Sequence, residues 1–112
     1  MRTDLRRDLT SAMRARDRAA VSALRSALSA IENAEAVPIE QRSPADGVGP
    51  VAGAGATDVA RRELTDADVL AIVEREAGDR TDSAEQYDRL GQHDHAQRLR
   101  AEADVLSRYL HP

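Results

Sequence analysis

Cysteine, lysine, phenylalanine and tryptophan are all missing from this 112-residue sequence, and its only aromatic residues are Tyr87 and Tyr109. Without cysteine there can be no disulfide and no thiolate nucleophile or ligand, which fits a reducing compartment, the cytoplasm. Without lysine, a Walker A phosphate loop, Schiff-base chemistry and a Ser–Lys amidase are excluded. All sixteen basic residues are therefore arginine, as a GC-rich coding sequence produces. Without Phe or Trp, any core must be built from Leu, Val, Ile and Ala. Small side chains let helices approach closely but each removes little apolar area from water, so stability should be modest. No run of about eighteen apolar residues exists to span a membrane. Residues 1–20 lack the continuous apolar stretch of a secretory signal.

What the sequence does contain is helical periodicity. The chain is organised around residues 65–110, which read as two amphipathic helices joined at Gly91. Thr65 and Asp68 have the spacing of a capping box, with Asp in place of Glu. Val69, Ile72, Val73, Ala77, Ala84, Tyr87 and Leu90 then recur near the helical period. Gly91 can adopt the left-handed conformation that closes a helix, and Ala96, Leu99, Ala103, Leu106 and Leu110 continue in a second helix.

The beginning of the chain repeats this design. Thr3 is the expected N-cap of a helix with Leu5, Leu9, Ala12 and Met13 along one stripe. A break is expected near Asp17, which caps a second helix carrying Ala20, Val21, Leu24, Ala27, Leu28 and Ile31 to about Glu35. Between 36 and 60 the period dissolves among Pro38, Pro44, Pro50 and four glycines. Such a segment buries too little surface to offset its ordering entropy and reads as a flexible linker. The sequence thus predicts one all-α domain of two packed αα-hairpins, residues 1–35 and 61–112, four helices in a bundle-like arrangement joined by a long flexible loop.

Charge is distributed unevenly around a net −4. Residues 1–25 hold seven arginines against three aspartates, a local +4, whereas residues 63–104 hold twelve acids against five arginines, a local −7. Two readings follow. The first hairpin's arginines pair with the acidic second hairpin, or Arg7, Arg14, Arg18 and Arg25, among others, form a surface suited to nucleic-acid phosphates. Against the second reading, no aromatic lies among these arginines to stack on a base.

A search for chemistry finds no catalytic constellation. The serines have no nearby histidine to act as base. His93, Asp94 and His95 form the only cluster with ligand chemistry. On a helix, however, His93 and His95 point about 200° apart and do not converge on one ion, so no metal or other cofactor is expected. Asp94 is better placed as an acid near a helix N-terminus. Glu76 and Arg80 are spaced as an i,i+4 ion pair, and Arg80 with Asp82 and Tyr87 is a candidate contact between the hairpins.

Several strings, taken in order, resemble the GatB/YqeY family. Ala15-Arg16-Asp17 is similar to the family's break between its first two helices. Leu24-Arg25, then Ala30-Ile31-Glu32-Asn33-Ala34-Glu35, resembles its "L-R…A-[IL]-x-N-x-E". Leu64-Thr65-Asp66 with Val69-Leu70 resembles "L-T-D-E-E-V", and Glu76, Arg80, Asp82, Ser83, Tyr87 and Gly91 stand where the family has "E…R…D-S…[YF]…G". Asp94, Ala96, Val105-Leu106 and Tyr109-Leu110 resemble its closing motifs. The resemblance covers the family's N-terminal helical subdomain; members continue past "Y-L-P-x-Q" into a second one. It implies structural roles for Asn33, Glu76, Arg80, Asp82, Ser83, Tyr87, Gly91, Asp94 and Tyr109. It also implies kinship with the tail of the tRNA-dependent amidotransferase B subunit, a tRNA-handling appendage remote from that enzyme's catalysis. The expected partner is accordingly tRNA or a protein of the aminoacylation machinery. A protein-interaction or homodimerisation module is the alternative. A glutamine-dependent carbon–nitrogen ligase label follows from kinship alone.

Overall fold

The computed structural model describes residues 1–36 and 63–111, and within them every regular element is a helix. These are α1 (Arg2–Ala15), α2 (Arg18–Ala36), α3 (Asp66–Arg89) and α4 (His93–Ser107). The α1–α2 and α3–α4 pairs are the two expected hairpins. The linker expected over 36–60 lies outside the described residues, except for Ala36, which ends α2.

Local chemistry sets three of the helix boundaries as expected. The Asp68 N–H donates to Thr65 Oγ1 at 3.1 Å and the Thr65 N–H donates to Asp68 Oδ2 at 2.9 Å, closing the capping box of α3. Gly91 takes φ 79°, with its own N–H on the Asp88 carbonyl and the Gln92 N–H on the Tyr87 carbonyl at 2.8 Å. That is the paired bonding of a Schellman motif. Asp17 caps α2, its Oδ1 accepting from the Ala20 N–H at 3.1 Å.

The α1–α2 turn uses the same motif without a glycine. Arg16 sits at φ 56°, and the Asp17 N–H reaches the Ala12 carbonyl at 3.0 Å. One helix therefore stops and the next starts across only Arg16 and Asp17. At the N-terminus the expectation fails. The Leu5 N–H reaches the Met1 carbonyl at 3.0 Å, so α1 begins at Arg2 and Thr3 lies inside the first turn rather than capping it.

The centre of the body is α2, which packs on α1, α3 and α4 and supplies six buried residues. The second hairpin, expected to be the frame that the rest covers, instead shares that role. Leu5, Leu24, Ile31, Val73 and Leu106 are the largest fully buried side chains. Half of the sixteen buried hydrophobic residues are alanines, which brings the helix axes close. Met13 and Leu90, expected on apolar stripes, are 49% and 70% exposed, and each lies beside a hairpin turn.

No described helix is long and apolar enough to cross a membrane.

Candidate functional site

Pairing sorts the arginines of the first hairpin into two groups. Arg2 meets Glu35 at 2.8 Å and thereby joins the open ends of α1 and α2. Arg7 is held by Asp4 at 3.2 Å and Asp8 at 3.3 Å. Arg6, Arg14, Arg16, Arg18 and Arg25 are exposed and make no ion pair among the described residues. The expected pairing of these arginines with the acids of 63–104 does not occur among those residues. The acids that pair, Asp4, Asp8 and Glu35, belong to the first hairpin itself, within short reach on the same or the neighbouring helix.

Three of the free arginines converge. Arg18, Ser22 and Arg25 occupy i, i+4 and i+7 on one face of α2, and the left-handed turn swings Arg16 beside them. With Val21 they line a surface depression that has no carboxylate in its wall. Like charges gathered in this way repel one another, and a bound anion relieves that repulsion. Of the arginines read from sequence as phosphate contacts, Arg18 and Arg25 are brought together here and Arg14 lies in the last turn of α1. Arg7 is engaged elsewhere. Arg16 joins the group only through the conformation of the turn.

On the other side of that turn lies a cleft between α1, α2 and the end of α4. Ala12, Ala15, Ala20, Leu24 and Val105 line it, together with Tyr109. The Tyr109 hydroxyl donates to Asp8 Oδ2, so the last aromatic of the chain is anchored on the first helix. Burial, and then that bond to a carboxylate, push the Tyr109 phenol well above its ordinary pKa.

The residues singled out by family motifs fall in different places. Arg80 Nε donates to Glu102 Oε1 at 2.8 Å, and its Nη1 donates to Glu76 Oε1 at 3.1 Å. The same Glu76 oxygen accepts from Ser26 Oγ at 2.6 Å, so α2, α3 and α4 meet at one polar node. Asp82 and Asn33 are exposed and outside this node, and Ser83 is half-buried on α3. Tyr87 stacks on His95 with ring centroids 3.8 Å apart and planes at 11°. His93 Nδ1 lies 2.8 Å from Asp88 Oδ1, while Arg100 Nη2 donates to Asp88 Oδ2 at 2.6 Å. The hydrogen bond from His93, then that from Arg100, hold the Asp88 carboxyl below its usual pKa. His93 and His95 thus serve different partners, and Asp94 sits in the first turn of α4.

Residues 54–112 match the model of the family described as Yqey-like protein. The matched residues contain every string from Leu64 to Leu110 and exclude the arginine-lined depression. No curated protein matches the chain. No solved structure matches it. Matched over just more than half its length, this chain belongs to the YqeY-like protein family.

Proposed function

We propose that this chain is a non-catalytic helical domain that contacts RNA through the arginines at the α1–α2 turn. The observation that supports this reading is the gathering of Arg16, Arg18 and Arg25 around one depression with no carboxylate in its wall, while Arg2 and Arg7 are held by Glu35, Asp4 and Asp8. Guanidinium groups match phosphate oxygens in charge and planar geometry. The resemblance of the sequence to the tail of the amidotransferase B subunit nominates tRNA, alone or held by a protein of the aminoacylation machinery. The carbon–nitrogen ligase label of that enzyme describes relatives' chemistry, and no residue of this chain is assigned to it. A protein-contact reading, as a homodimer or docking module, has Met1, Met13 and Leu90 as its large exposed apolar side chains among the described residues, and these sit apart, at the N-terminus and at the two hairpin turns.

Filter binding with tRNA at about 50 and about 200 mM salt tests the proposal. Four phosphate contacts weaken binding by about 100-fold over that range. Replacing Arg16, Arg18 and Arg25 together by Ala is expected to flatten the salt slope by about three contacts. Indifference to tRNA at the lower salt, or an unchanged slope in the triple variant, overturns it.

A further inference from the structure

We propose that the RNA contact seats one unpaired nucleotide astride the α1–α2 turn, its phosphate in the arginine depression and its base in the cleft behind it. This rests on the RNA contact proposed above and specifies which part of an RNA is held. The turn is a saddle: Arg16 and Arg18 line the depression, whereas Ala15 and Asp17, interleaved with them in the chain, line the cleft. The two sites have no residue in common but take alternate residues of 15–18, so they adjoin across the turn.

The two sides differ in chemistry as a phosphate and a base differ. The depression offers three guanidinium groups and a hydroxyl with no acid. The cleft has an apolar floor from three helices and about 460 Å³ of space, within the range of small-molecule sites. Its polar groups are Asp8, Asp17, Ser11 and Arg108. Carboxylates repel a phosphate but accept hydrogen bonds from a base amino group, and with Asp8 engaged by Arg7 and Tyr109 that acceptor is Asp17. Asp17 spends Oδ1 on the Ala20 N–H, and its second oxygen has no partner among the described residues. The aromatic missing from the arginine-rich sequence is supplied here by Tyr109, held in place by Asp8. Aromatic side chains stack on unpaired bases whatever their identity. A base locked in a duplex cannot enter, because its edge and faces are already occupied.

Fluorescence anisotropy with three RNAs tests this: one blunt duplex, the same duplex with a single-stranded 3′ extension, and that extension made abasic. The native extension is expected to bind about tenfold more tightly than the abasic one, whose phosphates are the same. Ala15→Leu, which fills the cleft, is expected to lower the native extension to the abasic level. Tyr109→Phe, which keeps the ring, retains the preference, and Tyr109→Leu loses it. Equal binding of native and abasic extensions overturns the inference and leaves RNA contact standing. Failure of all three RNAs to bind at low salt overturns both.

Discussion

Ser26 on α2 donates its hydroxyl to Glu76 on α3 at 2.6 Å, and that one hydrogen bond joins the two hairpins at their polar node. The Glu76 oxygen that accepts it also accepts from Arg80, whose Nε binds Glu102 of α4. Three side chains only 13–19% exposed satisfy one another here, so the node stabilises only when complete.

Removing the guanidinium leaves two half-buried carboxylates facing each other without a cation. Arg80→Met, which keeps the apolar stem, is expected to cost about 2–3 kcal/mol in urea unfolding. Arg80→Lys should recover less than half of that, since an ammonium cannot bridge two carboxylates in the fork geometry. Ser26→Ala removes one hydroxyl donor and should cost about 1 kcal/mol. Additive losses in Ser26→Ala/Arg80→Met would show that the two contacts do not form a unit.

Arg16 and Gly91 hold equivalent positions at the two hairpin turns, both with positive φ. A Cβ at Gly91 would meet nothing within 4 Å, so Gly91→Ala carries a backbone penalty alone, about 1 kcal/mol. Arg16→Gly relieves the matching strain and is expected to raise stability by about 0.5–1 kcal/mol, the gain being reduced by the freer unfolded chain. The same substitution should weaken tRNA binding. A variant that is both more stable and fully competent for binding would remove Arg16 from the proposed interface.

Alkaline pH should loosen the attachment of the chain's end to α1. The folded pKa of Tyr109 is raised, first by burial and then by its bond to Asp8. A group of this kind contributes stability that is complete below the unfolded value of about 10 and is lost as pH rises through the folded one. Urea midpoints of the native chain should therefore decline above pH ~10 more steeply than those of Tyr109→Phe. Parallel curves would show that the phenol does not titrate in the way its environment dictates.

Asp88 has the opposite sign. Its pKa is lowered from 3.8, chiefly by the hydrogen bond from His93 and next by that from Arg100. The resulting stability is present above the unfolded value and disappears as pH falls through the lowered folded value. Asp88→Asn should flatten the acid limb of the stability curve. In a carboxyl NMR titration, His93→Gln should move the Asp88 midpoint upward. A midpoint unchanged by that substitution would assign the shift to Arg100 alone.

How much of this was legible depends on the range of each interaction. The Thr65–Asp68 box, the Asp17 cap and the Gly91 turn each involve residues at most five apart, and the chemistry of those few side chains dictates them. Thr3 is the local exception, because the backbone of Met1 could start α1 without it. Arg18 and Arg25 could be read together because seven residues return to the same helix face. The fate of Arg7 could not be read so directly, since the same sequence lets it face solvent or turn to Asp4 and Asp8. Leu90 belonged to a stripe by spacing, yet lies where α3 has ended.

By itself the sequence determined the all-helical character, the four helices of the described residues and their turns, and an aliphatic core rich in alanine. These follow from periodicity, capping chemistry and composition, all carried by neighbours along the chain. Tertiary structure alone decided that α2 lies at the centre, that Ser26 finds Glu76, and that Tyr109 crosses 101 residues to reach Asp8. An apolar stripe specifies that it must be covered but carries no address for what covers it. Arg7 is neutralised within its own helix, but only the packing of α1 on α2 brings Arg2 to Glu35 and gathers Arg16 beside Arg18 and Arg25.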